Sequence, residues 1–394
     1  MLKFTKIAFF LVCSFSAFAL FAQDEEEVGD TDPDNLVPNG SFEKIGEGLR
    51  RAGQFDLVED WSNASDVIGD VFATTTRSQY VAVPKNVYGD QTPAEGDNYA
   101  GMVTYSSRSK IMRNYIGVEL KQKLKKDNLY CIKFKISLAE RARYASNNIG
   151  VVMSKSKISE KTTTSISRND AITINSNDVV KERNGWWEYC KRYAANGTEQ
   201  YLTLGNFSSD GNTTNELMEL PSEFTEKGFE NIAYYYVDQV EVRRIETNGN
   251  CDCADTKIPD AELIYSSTVQ ISDDMTVAEK FEAIDAYFYQ GRNDLVSAAQ
   301  RSVDPMVELM KADNKTKILL TGHSDAQEAE KAKSDAKLAK LDVERAENVK
   351  KYLISQGIDE GRISVKGVGN SQPASKMSTP ISLARNRRVG ATLQ

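Results

Sequence analysis

From Asn35 to about Glu246 the chain is written in short apolar runs separated by turn residues. Tyr80-Val81-Ala82-Val83, Tyr99 to Val103, Tyr130 to Ile136, Tyr201 to Leu204 and Tyr234 to Val242 are examples. The third alternates strictly, with Tyr130, Ile132, Phe134 and Ile136 on one face and Cys131, Lys133 and Lys135 on the other, which predicts a half-buried antiparallel strand. Many such strands over residues 35–246 predict a β-sandwich. Residues 247–261, rich in Asn, Gly, Asp and Cys, read as a linker. The texture then changes to helical spacing. Asp294 to Lys311 carries Leu295, Ala299, Val303, Met306 and Met310 on one side, with Pro305 expected to break or kink it. Lys317 to Gly322 predicts a strand. Lys331 to Ser355 predicts one long helix with Leu338, Asp342, Ala346, Val349 and Leu353 in register, closed by Gly357. Arg362 to Lys366 and Val389 to Leu393 supply two more strands. That order predicts a compact α+β unit over 262–394, so the fold class is multidomain, an all-β sandwich followed by an α+β domain. No internal repeat is visible.

Length agrees with this division, since 394 residues exceed one ordinary core. Composition is that of a globular protein, 40% hydrophobic and 27% charged. The formal charge is −8, and because Lys3 and Lys6 are the only charges before Gln23, the remainder holds 47 basic against 57 acidic residues. An acidic chain argues against nucleic acid or an anionic membrane surface as the main partner. Residues 1–22 have the form of a secretory signal, with Lys3 and Lys6 before the apolar stretch Ile7 to Leu20 and a small residue, Ala22, before Gln23; a retained membrane anchor is the alternative. Val12 before Cys13 does not suit a lipoprotein signal. Residues 23–34 are acidic, contain Pro33 and read as disordered. Export makes oxidation possible for Cys131, Cys190, Cys251 and Cys253. Strand parity puts Cys131 and Cys190 on the outer face of their strands, so a Cys131–Cys190 disulfide is expected if those strands are neighbours. Cys251-Asp252-Cys253 is too close-spaced for an easy internal disulfide and shows no nearby partner ligands for zinc. His323 is the sole histidine, which removes most histidine-based nucleophile, metal and acid–base arrangements; it is expected to be a hydrogen-bonded structural residue.

The chemistry-bearing cluster is C-terminal: Gly322-His323-Ser324-Asp325, then Arg345-Ala346, then Asn386-Arg387-Arg388-Val389. Together with Tyr287-Phe288, Leu341, Tyr352-Leu353, Gly357, Arg362-Ile363, Gly367-Val368-Gly369 and Pro373, these residues resemble the OmpA-like peptidoglycan-binding domain over residues ~280–394. The resemblance implies non-covalent binding of the peptidoglycan stem peptide through meso-diaminopimelate, which presents an ammonium and a carboxylate on one carbon. Asp325 suits the ammonium and Arg345 the carboxylate, as a two-pronged charge-assisted pair; Asn386 and Arg387 fall in a motif near that pocket. Asp325 equally suits a helix cap, and Arg345 a pair with Asp342. Arg387 and Arg388 should face opposite sides of a strand. The sequence departs from the family pattern. About five extra residues separate Asp325 from Arg345, in an Ala-, Glu- and Lys-rich segment, Ala326 to Ala336. Leu338, Asp342, Tyr289 and Leu383 stand where Asn, Ser, Asp and Arg are usual.

At the other end, Asn35-Leu36-Val37-Pro38-Asn39-Gly40-Ser41-Phe42-Glu43, with Val83-Pro84-Lys85-Asn86, Gly96 to Gly101, Gly205-Asn206-Phe207 and Tyr235-Tyr236-Val237-Asp238, is similar to the galactose-binding-like jelly roll of many carbohydrate-binding modules. That resemblance implies a structural calcium, with Glu43 and Asp238 as candidate ligands. Trp61, Trp186 and Trp187 are candidates for stacking on sugar rings, or for core. The combined expectation is a non-enzymatic periplasmic protein associated with the outer membrane, gripping peptidoglycan by its C-terminal domain and engaging an outer-membrane protein complex or a glycan through the sandwich. The alternatives are a secreted glycan-binding module and a wall-associated glycosidase.

Overall fold

The computed structural model describes residues 32–108, 113–173, 178–183, 185–224, 229, 231–245, 251, 253, 260–265, 271 and 275–394. The expected secretory signal, nearly all of the acidic segment and most of the linker lie outside these residues. The N-terminal unit is built from β1 (Trp61–Asn63), β2 (Asp70–Ala73), β3 (Asn98–Ser106), β4 (Ile116–Glu119), β5 (Leu129–Leu138), β6 (Tyr144–Ser146), β7 (Ile149–Ser154), β8 (Ile172–Thr173), β9 (Trp187–Ala194), β10 (Tyr201–Asn206), β11 (Asn215–Leu217) and β12 (Ile232–Ile245). Two five-stranded sheets form, ordered β1-β4-β10-β7-β8 and β2-β3-β12-β5-β9, beside a β11-β6 ribbon. Every pairing in them is antiparallel. The sheets share one apolar core, to which Val118, Val151 and Leu202 come from the first and Val71, Ile132, Phe134 and Val237 from the second. The alternation of β5 is realised, with Tyr130, Ile132, Phe134 and Ile136 all buried. Tyr80 to Val83 is not a strand and touches the sheet only by an isolated bridge between Ala73 and Ala82. Pro84, which has no N–H for a ladder, follows at once.

The C-terminal unit comprises α1 (Glu262–Tyr265), α2 (Val277–Ala283), β13 (Asp285–Tyr287), α3 (Ser297–Ala312), β14 (Ile318–Gly322), α4 (Ala326–Lys331), α5 (Leu341–Ser355), β15 (Ile363–Gly367), α6 (Pro380–Asn386) and β16 (Arg388–Leu393). Its sheet runs β13-β16-β14-β15. Only the β14–β15 pair is parallel. Phe281, Met306, Ile318, Leu320, Val349, Leu353 and Val389 fill the core. Pro305 does not end α3. The carbonyl it leaves unbonded, one turn earlier at Arg301, is on an exposed residue that water can serve. The long helix expected from Lys331 is instead two helices with turns over 332–340, because Asp325 caps a separate short α4 before the apolar register of α5 begins at Leu341. Gly357 ends α5 in the left-handed region, at φ +91°.

The two units pack on each other. A third apolar cluster joins Leu129, Cys131 and Ile245 of the sandwich to Ile264 and Tyr265 of α1 and to Tyr287, Ile381 and Ala384 of the C-terminal unit. At its edge Arg385 of α6 reaches into the sandwich, where its Nε lies 2.5 Å from Asp127 and its Nη groups donate to Asn196 Oδ1 and to the carbonyls of Ala194 and Ala195.

The disulfides differ from expectation. Cys131 bonds Cys251 and Cys190 bonds Cys253. Cys131 and Cys190 do lie on neighbouring strands, but Cys131 is opposite Arg192 and Cys190 opposite Lys133. Diagonal neighbours of that kind stand about 7–8 Å apart, beyond disulfide reach. Each instead takes one cysteine of the linker's Cys251-Asp252-Cys253 segment. The four Sγ atoms all lie within 4.8 Å of one another. Peptide mapping without reduction should return Cys131–Cys251 and Cys190–Cys253 linked peptides; a Cys131–Cys190 link would contradict the structure.

His323, just past β14, is buried, and its N–H donates to Arg388 O at 2.9 Å. Nδ1 has no hydrogen-bond partner. Burial, with Arg388 and Lys366 adding repulsion against Asp342, holds the imidazole down at about 4, below its ordinary 6.5. The unfolded chain therefore binds more protons between pH 6.5 and about 4, so this contribution to stability is complete above 6.5 and is lost as pH falls through that window. Chemical denaturation of wild type and His323→Gln should show a shallower acid loss in the variant; identical profiles would contradict the assignment.

Candidate functional site

The site begins with a close approach. Gly322 closes β14 against α5, where a Cβ would sit 1.8 Å from Asp342 O. Only glycine permits that contact, and it brings the strand end, with His323 and Asp325, against the first turns of α5, where Arg345 projects. Arg345 and Asp325 are 0% exposed, and Glu328, on α4, is 1% exposed.

Arg345 has five N–H donors and the structure satisfies all of them. Nε donates to Arg292 O at 2.9 Å, one Nη to His323 O at 3.1 Å and the other to Tyr289 O at 3.2 Å. The remaining two meet Glu328 as a fork, at 2.8 and 2.6 Å. The guanidinium also lies 5.4 Å from the centre of the Phe288 ring. Glu328 is equally occupied, since Gly291 N donates to Oε1 at 2.8 Å and Asp325 N to Oε2 at 3.3 Å. Asp325 caps α4 through Glu328 N at 2.7 Å, and its other oxygen pairs with Arg387. A reciprocal capping box thus joins Asp325 and Glu328. Arg387 in turn donates to Phe288 O at 3.2 Å and to the Tyr265 hydroxyl at 2.6 Å. Two arginines and two carboxylates therefore form one buried, charge-balanced chain that ends on α1.

The structure thus brings Asp325, Arg345 and Arg387 into one network and adds Glu328 and Tyr265, which sequence reasoning missed. The signal for Glu328 was the longer Asp325-to-Arg345 spacing, together with a Glu three residues after an Asp. Arg345 does not pair with Asp342, whose carboxylate instead accepts Gly369 N at 2.7 Å. Asn386 lies outside this network, its side-chain amide closing on both main-chain groups of Ser375, at 3.0 and 2.8 Å. Arg388 turns the other way, 3.6 Å from Asp285, as strand alternation requires. A groove of about 500 Å³ opens beside the network, lined by Gly291, Arg292, Asn293, Asp335, Leu338 and Glu344 among others.

In the sandwich, Glu43 and Asp238 meet the same loop. Glu43 accepts Asp97 N and Asn98 N at 3.0 and 3.1 Å, and Asp238 accepts Ala94 N and Glu95 N at 2.8 and 3.1 Å. Burial pushes both carboxyls above their ordinary range. The pair thus acts as a loop clamp through four backbone N–H groups, and the group of three or more potential metal ligands found among the described residues is the cysteine cluster, not these carboxylates. Trp61 is core, packed 4.9 Å from Phe42 with Nε1 on Asn39 O. Trp186 donates to Thr92 O at 2.9 Å and sits against Tyr99, while Trp187 is only partly buried on β9.

Residues 287–387 match the OmpA family. Outer membrane protein A of Bordetella avium is 32% identical over 105 residues, covering 27% of this chain and 52% of that protein. Peptidoglycan-associated lipoprotein of Pseudomonas putida is 30% identical over 103 residues, covering 26% and 58%. The OmpA-like domain of FopA1 from Francisella tularensis subsp. tularensis SCHU S4 is a solved structure 25% identical, covering 28% of this chain and 72% of that one, with a TM-score of 0.24. The chain spans about half the length of these curated relatives. No helix among the described residues is long and apolar enough to cross a membrane. Residues 287–387, which include Asp325, Arg345 and Arg387, form an OmpA-like domain.

Proposed function

We propose that this chain is a non-enzymatic envelope protein whose OmpA-like domain binds peptidoglycan non-covalently, as an anchor. The ligand is the diaminopimelate of the stem peptide, its carboxylate on Arg345 and its ammonium on Asp325. The observation that carries this reading is the Glu328 fork. A carboxylate already sits on Arg345 in bidentate geometry, with an acidic neighbour, Asp325, one hydrogen bond away, so the site is built for a carboxylate beside a positive group. The relatives named for the outer membrane and for peptidoglycan support the same class. The sandwich, which we read as a galactose-binding-like jelly roll, faces an outer-membrane protein complex or a glycan, and the protein works in the periplasm, associated with the outer membrane.

A second reading follows from the satisfaction of all five Arg345 donors. In that reading the guanidinium is purely structural, the domain has no wall ligand, and the chain is a secreted glycan-binding module. Sedimentation of the full chain with purified sacculi separates the two. Wild type should co-sediment, and Asp325→Asn, which keeps the cap but removes the charge, should lose retention by about ten-fold, the effect of roughly 1.4 kcal/mol. Undiminished retention by a folded Asp325→Asn protein would reject the site, and no sedimentation of wild type or of Glu328→Gln would favour the second reading.

A further inference from the structure

We infer that Glu328 is an internal stand-in for the ligand's carboxylate, so that the grip of this chain rests closed and opens by release of α4. The inference depends on the peptidoglycan reading above and adds its regulation.

Four observations converge. First, Glu328 occupies both Nη groups of Arg345, at 2.8 and 2.6 Å, which are the donors an incoming carboxylate needs. Second, the same residue occupies Asp325, because Glu328 N donates to Asp325 Oδ1 while Asp325 N reaches back to the Glu328 carboxylate. One displacement therefore exposes both ends of the grip: a two-pronged cation at Arg345 and a free carboxylate oxygen at Asp325. The species that refills both at once carries an ammonium and a carboxylate on adjacent positions. Third, α4 is held chiefly by polar contacts, the Glu328 fork and cap with a Gln290-to-Gln327 hydrogen bond at 2.9 Å, and its one partly covered apolar residue is the small Ala329. Glu328 is its one buried residue, and Ala326, Gln327, Glu330 and Lys331 are exposed. Releasing it uncovers no apolar core, so opening lacks the largest cost of local unfolding. Fourth, the chain on its far side, 332–340, is a run of turns with exposed or half-exposed residues that can follow the movement, and it borders the groove at Gly291 and Arg292, whose backbone holds Glu328 and Arg345.

The exchange conserves the ionic partners of Arg345. A buried guanidinium stripped of its carboxylate is unfavourable, which keeps the site mostly shut without ligand, whereas a ligand carboxylate restores the fork as Glu328 moves to water. A tethered Glu328 competes at high effective concentration, so apparent affinity falls by the fraction of time the site is open. The extra residues between Asp325 and Arg345 supply this competitor.

The test is a calorimetric titration of the full chain with two probes, free meso-diaminopimelate and a tripeptide ending in it, for wild type, Glu328→Gln and Glu328→Gln/Arg345→Met. Glu328→Gln should bind at least about ten-fold tighter than wild type, the factor expected if the wild-type site is open about a tenth of the time, and the double variant should not bind. Thermal melts in parallel should show Glu328→Gln destabilised without probe and raised by it far more than wild type; a merely structural glutamate would give the loss with no such recovery. Equal affinities of wild type and Glu328→Gln would overturn the closed-grip inference and leave the wall-binding reading intact. Absence of binding by every folded variant would overturn both.

Discussion

A guanidinium with no access to water must find an acceptor for each of its five N–H groups and a negative charge for its positive one. Arg345 meets that demand in a single place, and much of the C-terminal unit is arranged around it. The carbonyls of Tyr289 and Arg292 fix the segment after β13, and the carbonyl of His323 fixes the end of β14. Glu328 supplies the charge and, with it, the position of α4. Removing either partner of such a pair costs far more than forming it gains, because the charge left behind has no solvent. The constraint explains why α4 stays on the domain although Glu328 is its one buried residue.

From Glu328 the charges continue through Asp325 and Arg387 to the hydroxyl of Tyr265 on α1. That helix opens the C-terminal unit, and its Ile264 and Tyr265 enter the cluster that also holds Cys131, Cys251 and Cys253. The two disulfides tie Cys251 and Cys253 to β5 and β9 of the sandwich. The first spans 120 residues, a closure that limits the unfolded chain by roughly 5 kcal/mol in the chain-entropy account. With Arg385 buried against Asp127 and the carbonyls of Ala194 and Ala195, the sandwich and the OmpA-like domain share an interface of core character. The sandwich is thus fastened to the OmpA-like domain through packed and covalent contacts.

Much of this was legible in the sequence, for physical reasons that differ by element. Strand alternation placed β5 because burial on one face writes period two into the residues, and the helical spacing of Ala346, Val349 and Leu353 placed α5 for the matching reason. Asp325 and Arg345 were legible as charges in a recognisable order. What was not legible was which carboxylate would neutralise Arg345. Asp342 was nearer in sequence, but the structure turns it toward Gly369 and brings Glu328 across from a different helix. The disulfide pairing failed for a similar reason: parity gives the face of Cys131 and Cys190 correctly, whereas the register that makes them diagonal appears only when the strands are paired. Glu43 and Asp238 were read as cation ligands by their type, and only the loop folded over them reveals backbone N–H groups as their partners.

The central claim is that the carboxylate on Arg345 belongs to the chain at rest and to the ligand when bound. A high-resolution crystal structure of the full chain, grown with and without a tripeptide ending in meso-diaminopimelate, tests it most directly. The account predicts Glu328 on Arg345 in the free protein, and in the complex the peptide's carboxylate on the same two Nη groups, its ammonium on Asp325 and Glu328 turned out to solvent. A bound peptide with the Glu328–Arg345 fork unmoved would contradict it.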